Sequence, residues 1–207
     1  MLVIASSVAQ ESPFSKIETL FETLEKEDTG MGSFSIFKEG QEIYNTSFGY
    51  ADISKDKRNN QNTMFRIGSI TKTFTAVIIM QLVAEEKLSL STPLLKYFKN
   101  IPNAEKITIE DLLRHQSGLF NITEDETIRD WVITKQSKEA MIARIVKKRP
   151  VFEPKTQTAY SNTNYILLSY IAEAIEQKKF SEVILERITK PLQLQKTYMG
   201  IPENSIE

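Results

Sequence analysis

Phe65-Arg66-Ile67-Gly68-Ser69-Ile70-Thr71-Lys72 sets a serine three residues ahead of a lysine, where a long apolar helical pattern begins with Ile70, Phe74, Val77, Ile78 and Leu82. Residues i and i+3 of a helix carry β-carbons about 5–6 Å apart, so the Lys72 ammonium falls within reach of the Ser69 hydroxyl. The same Ser-x-x-Lys spacing recurs at Ser35-Lys38 and Ser54-Lys57. The first lies in a strand-like run, where side chains three apart point to opposite faces. The second lies in Asp52–Asn60, a polar stretch that reads as a surface loop. Only Ser69 opens a helix.

Other routes to catalysis are thinly supplied. The 207 residues include one histidine, His115, and no cysteine. That excludes a thiolate nucleophile, a disulfide, a zinc–thiolate cluster and a multi-histidine metal site, and neither metal nor cofactor is expected. Glu124-Asp125-Glu126 lacks the alternating ligand spacing of a calcium loop and reads as a solvated turn. A net charge of −1 provides no overall field to attract nucleic acid or an anionic membrane. No run reaches the roughly 18–20 apolar residues of a membrane span. With 41% hydrophobic and 26% charged residues, the composition is that of an ordinary globular protein able to build one sizeable core.

The N-terminus stands apart. Met1 to Ala9 is apolar and small, and Ser7-Val8-Ala9 before Gln10 fits the small-x-small rule of signal peptidase, although a basic leading segment is absent. Residues 1–10 therefore read as a signal-peptide remnant or a disordered N-terminus, and an extracytoplasmic location follows from the first of these. Residues 11–207 read as one domain.

Along that domain, Ser12-Pro13 is a helix entry, followed by Phe14, Ile17, Leu20, Phe21 and Leu24 at helical spacing. Ser33–Lys38 and Glu42–Tyr50 predict a β-hairpin joined around Glu39-Gly40-Gln41, with Tyr44, Thr46, Phe48 and Tyr50 on one face. Everything after Ser69 reads as helical. Thr108-Ile109-Glu110-Asp111 resembles a capping box. Ser137 opens another helix, Tyr165 to Ile175 lie on a further one, and Ser181 starts the last, which ends near Pro191. A lone two-stranded hairpin is marginal: either helices cover it, or strands that belong beside it are missing.

Four segments, in order, resemble the serine β-lactamase and penicillin-binding-protein superfamily, in particular its class C β-lactamase, D-alanyl-D-alanine carboxypeptidase and esterase branch. Phe65–Lys72 is similar to that branch's nucleophile motif. Leu112-Leu113-Arg114-His115-Gln116-Ser117-Gly118-Leu119 resembles its Leu-Leu-x-His-x-Ser-Gly-Leu landmark. Tyr160-Ser161-Asn162 matches its Tyr-x-Asn motif, and Pro191 to Thr197 resembles its Pro-Leu-Gly-Met-x-x-Thr segment. Two positions depart where the family usually has glycine: Lys155, after Pro154, and Gln193. The family's third motif, Lys or His, then Thr or Ser, then Gly, occurs nowhere in the sequence. The resemblance thus implies an α+β, β-lactamase/transpeptidase-like fold, an antiparallel sheet flanked by helices plus a helical subdomain. Its C-terminal sheet strands are expected to be missing from this chain, so that residues 11–207 form an incomplete domain.

The resemblance further implies a secreted serine hydrolase that forms an acyl-enzyme at Ser69. Its substrates would be β-lactams, D-alanyl peptides derived from peptidoglycan, or small esters. Acyl transfer requires the serine to lose its proton as it attacks. A lysine takes that proton when desolvation or a nearby positive charge favours the neutral amine, and a tyrosine when a cation stabilises its phenolate. Lys72 and Tyr160 are expected to share one proton network around Ser69, and sequence does not say which is the base. Asn162 is expected to bind a substrate amide and orient Lys72. The bland alternatives are Ser69 as a helix cap, Tyr160 as a core aromatic and Asn162 as a cap, in a binding or scaffold protein or an inactive fragment. A Ser117–His115 pair is disfavoured, because two-residue spacing at a helix end turns the side chains apart.

Overall fold

The computed structural model describes residues 12–200. The stretch read as a signal remnant lies outside them. The chain divides into two compact units, one ending at Phe65 and the other beginning at Arg66.

The first unit holds helix α1 (Ser15–Lys26) and strands β1 (Gly32–Lys38), β2 (Gln41–Phe48), β3 (Tyr50–Asp52) and β4 (Lys57–Arg58). β1 and β2 pair antiparallel across Glu39-Gly40, both left-handed with φ of 52° and 79°. Two consecutive left-handed residues suit a tight hairpin turn, whose twist matches that of the strands. The apolar face of α1 meets this pair through its aromatics. Phe21 lies 4.6 Å from Phe48 and 5.1 Å from Phe34, centroid to centroid, and Phe14 lies 4.7 Å from Tyr44. A helix therefore covers one face of the hairpin.

Tyr50 does not continue β2 as its spacing suggests. Gly49 adopts φ 68°, and a β-carbon there would sit 2.4 Å from the Met31 β-carbon. The chain turns at this glycine, and Tyr50 begins β3, which pairs antiparallel with β4. The polar stretch expected to be all loop thus contains a short strand. Ser54 in its turn gives both its N–H and its hydroxyl to Asp52 Oδ1, which occupies the second Ser-x-x-Lys serine in local turn chemistry.

The second unit is helical: α2 (Thr71–Ala84), α3 (Ile109–Leu113), α4 (Ile128–Trp131), α5 (Lys138–Val146), α6 (Asn162–Glu176) and α7 (Phe180–Ile184), the last continuing as one π-turn over Leu185–Thr189. α2, α3 and α7 each pack against α6. Ile78, Leu82, Ile109, Leu112, Leu168 and Ile171 are fully buried at their contact. The capping box forms as expected. Asp111 N–H donates to Thr108 Oγ1, and Thr108 N–H donates to Asp111 Oδ2. Ser137 caps α5 by accepting the Ala140 N–H. α7 starts one residue before the expected Ser181, because Glu173 Oε1 already accepts the Phe180 N–H. The architecture is α+β with antiparallel pairing, as expected.

Lys155 and Gln193, where the related family usually carries glycine, adopt φ of 70° and 55°. Both lie in the left-handed region that favours glycine, so each side chain sits on a backbone conformation that glycine would adopt more readily. At Gly118 no such change is open. Its φ is 72°, and a β-carbon would fall 2.0 Å from the Phe152 carbonyl oxygen.

Candidate active site

Gly68–Ile70 forms a single 3-10 turn that feeds into α2, with Gly68 at φ 51°. No side chain caps α2, so the Ser69 hydroxyl is not spent on backbone N–H groups. It lies 2.8 Å from the Tyr160 hydroxyl and accepts from Lys72 Nζ at 3.3 Å. Lys72 also donates to Asn162 Oδ1 at 2.6 Å, and the Tyr160 hydroxyl donates to the same oxygen at 3.2 Å. All four residues named from the sequence therefore meet in one hydrogen-bonded group. Because Tyr160 donates to Asn162, the Ser69 hydroxyl is left to donate to Tyr160, which is the direction a departing proton would take.

Lys72 Nζ sits 4.9 Å from the Tyr160 ring centroid and 5.8 Å from that of Tyr165. Its hydrogen bond, then that of Ser69, holds the Tyr160 hydroxyl below the usual tyrosine pKa. Tyr165, by contrast, is pushed up by burial. Tyr160 is half exposed, so the group faces solvent rather than the core. That argues against Tyr160 as a core aromatic.

Asn162 is the first residue of α6, and Ser161 occupies the cap position. Its N–H, which an uncapped helix would leave unpaired, goes to Asn121 Oδ1 at 3.0 Å. Its Nδ2 donates to Thr123 Oγ1 at 2.8 Å, and that hydroxyl in turn donates to Asn121 Oδ1 at 2.9 Å. Asn121 and Thr123 thus fix which way the Asn162 amide faces, turning its oxygen to Lys72. These two were not found from the sequence. Asn121-x-Thr123 looks like an ordinary turn, and its meaning comes from contact with a helix about forty positions on. The expected solvated turn next to it is tied down as well. Glu124 accepts from Asn121 Nδ2, and Asp125 pairs with Lys148 and with Thr127.

The landmark segment lies behind the same group. Thr163 Oγ1 donates to the Phe120 carbonyl at 2.6 Å and accepts from the Ile122 N–H at 3.1 Å. Ser117 Oγ donates to Asn164 Oδ1 at 2.6 Å, while Asn164 Nδ2 meets His115 Nδ1 at 3.2 Å. His115 and Ser117 are joined through Asn164 and not to each other.

A family model described as Beta-lactamase matches residues 18–207. The chain belongs to the beta-lactamase family. Within the family, it is 32% identical over 168 residues to teichoic acid D-alanine hydrolase of Staphylococcus aureus, an alignment covering 80% of this chain and 40% of that protein. Among solved structures it is similar to a D-amino acid amidase of Ochrobactrum anthropi SV3 (26% identity, TM-score 0.75, 86% of this chain and 50% of the other). The penicillin binding protein of Bacillus halodurans shares the fold at TM-score 0.79 with 22% identity, over 96% of this chain and 59% of that one. The chain thus spans about 40% of the length of the curated relatives it matches.

Proposed function

We propose that this chain carries the nucleophile, the proton-transfer pair and an amide-binding asparagine of a serine hydrolase that acts on D-amino-acyl esters or amides through an acyl-enzyme. The observation that carries the proposal is the Ser69 hydroxyl, 2.8 Å from Tyr160 and 3.3 Å from Lys72, with no capping duty. The substrate class is supported by the similarity to a teichoic acid D-alanine hydrolase and a D-amino acid amidase. Teichoic acid being a cell-envelope polymer, action outside the cytoplasm belongs to the same proposal. Among the described residues no helix is long and apolar enough to cross a membrane.

In the proposed reaction, Ser69 Oγ attacks the acyl carbonyl carbon as its proton passes to the Tyr160 oxygen. Tyr160 takes it as a phenolate, the form favoured by the adjacent Lys72 ammonium. The carbonyl oxygen becomes an oxyanion, stabilised by the Ser69 backbone N–H at the start of α2. Collapse breaks the bond to the leaving alcohol or amine, which departs with the proton held on Tyr160. Water then attacks the Ser69 ester, gives a proton to Tyr160, and Ser69 leaves with that proton restored. Asn162 orients Lys72 and offers its edge to the substrate amide.

Incubation of the full-length protein with a fluorophosphonate and with a penicillin, followed by intact mass and peptide mapping, tests this. An adduct on Ser69, lost in Ser69→Ala, is expected. A folded protein that forms no adduct overturns the proposal in favour of a binding or scaffold relative.

A further inference from the structure

His115 follows α3 in the left-handed conformation, with φ 57°. That conformation lets it hold the chain on both sides of Tyr160. Its carbonyl accepts the Ala159 N–H at 3.0 Å, and its Nδ1 accepts the Ser161 N–H at 3.1 Å. Its ring also lies against Tyr160 and Tyr165, at centroid distances of 4.8 and 5.2 Å. A backbone N–H can only donate, so Nδ1 carries no proton and the ring hydrogen sits on Nε2. The Asn164 contact agrees. Ser117 Oγ donates to Asn164 Oδ1, which leaves the Asn164 NH2 facing Nδ1 as a second donor. Ser117 and Asn164 are buried, at 1% and 0% exposure, so neither can turn to water for another partner.

We infer that His115 is a positioning residue for Tyr160 and Asn162, that it works only as the neutral ring, and that its protonation gives acylation of Ser69 an acid limb. The inference rests on the hydrolase proposal for its kinetic part. A proton on Nδ1 would confront the Ser161 and Asn164 donors with a third, and would release the segment that places the Tyr160 hydroxyl against Ser69. The titratable and charged groups facing the ring are Lys72 from α2, and Tyr160 and Tyr165 from the α6 end. In the resting group Lys72 is a cation and the Tyr160 hydroxyl, which donates to Asn162, is a neutral phenol, so neither welcomes an imidazolium. Arg114, beside His115 just past the end of α3, is engaged with Glu110. Burial, and then the Lys72 charge, hold the His115 pKa below its ordinary value, so the neutral ring is the working form at neutral pH.

Two variants of the full-length protein separate positioning from simple packing. His115→Asn tolerates a left-handed backbone, places an amide oxygen where Nδ1 was, and does not titrate. His115→Phe keeps an aromatic ring against the two tyrosines but has no acceptor. Acylation of Ser69 by a chromogenic ester or fluorophosphonate is followed against pH. As pH falls, wild type is expected to lose rate in two steps, one from protonation of the Tyr160 base and a further one in proportion to the protonated fraction of His115. His115→Asn is expected to stay within about tenfold of wild type and to lose only the His115 step. His115→Phe is expected to acylate about a hundredfold more slowly, as a misplaced catalytic group does. A His115 step that persists in His115→Asn, or wild-type acylation by a folded His115→Phe, overturns the inference. Nitrogen-15 NMR of histidine-labelled wild type gives a readout independent of turnover and of how His115→Phe folds. The Nε2–H tautomer at neutral pH supports the assignment, and the Nδ1–H tautomer overturns it. A protein that never acylates would sink the hydrolase proposal while the tautomer is still decided.

Discussion

At the scale of single residues, the proposed chemistry rests on which group holds a proton beside Ser69. Tyr160 is nearer to the serine oxygen than Lys72 is, and Lys72 already points two donors at Ser69 and Asn162. This favours Tyr160 as the immediate acceptor and Lys72 as the cation that makes a phenolate accessible. Removing the phenol in Tyr160→Phe should lower acylation by about 10²- to 10⁴-fold, the usual range for a general base. Lys72→Met should act differently, because it leaves the base but removes the cause of its lowered pKa. The Tyr160 phenolate should then titrate at higher pH, as read by phenolate absorbance in a difference spectrum against Tyr160→Phe. The rise of acylation with pH should move up with it, since a base acts only once it is deprotonated. Should Lys72→Met leave that titration in place, the lysine has a different task.

At the scale of elements, a residue and the backbone conformation it occupies can be at odds. Gln193 keeps φ 55° in a turn closed by its own N–H to the Lys190 carbonyl and by the Gln195 N–H to its carbonyl. A left-handed non-glycine residue costs roughly 1–3 kcal/mol. Glycine gives back about 0.4–1 kcal/mol through the freer unfolded chain. Gln193→Gly should therefore stabilise by about 1 kcal/mol net in urea unfolding. The control is Gln193→Ala, which keeps the strain. Equal stability of the two variants would show that strain is not what glycine relieves. The same logic separates what could be read early from what could not. The Thr108–Asp111 capping box and the Ser137 cap were legible because their partners lie within three residues. The break after Phe48 was not, since it depends on Met31 standing against Gly49. Nor was β4, whose two residues owe their strand conformation wholly to pairing with β3.

At the scale of the molecule, the motifs pointed to the four residues of the candidate site while leaving out what holds them. Ser69-x-x-Lys72 and Tyr160-x-Asn162 are local patterns, so spacing suffices to see them. Asn121, Thr123 and Asn164 act through contacts that only the folded helices create. The same long-range character marks the ion pairs that join helix ends. Arg187, beyond α7, donates to both oxygens of Glu85 at the end of α2, at 2.8 and 2.9 Å, and to Glu176 at the end of α6 at 2.8 Å. Arg187 first, and then Lys87, lower the Glu85 pKa to about 2. Asp125 is likewise lowered to about 2, first by Lys148 and then by Thr127. Both carboxylates bind protons more readily in the unfolded chain, so their contribution is fully present above the ordinary carboxylate range. It is lost as pH falls from there toward about 2. Thermal unfolding should therefore show a melting temperature that drops between pH 5 and pH 3, two set points on either side of the ordinary glutamate pKa of about 4.3. Glu85→Gln removes the titrating group while keeping an acceptor for Arg187. It should melt lower than wild type at neutral pH, and the gap should narrow as the pH is lowered. A gap that stays constant with pH would mean that Glu85 holds Arg187 by geometry alone, with no part in the acid sensitivity of the helical unit.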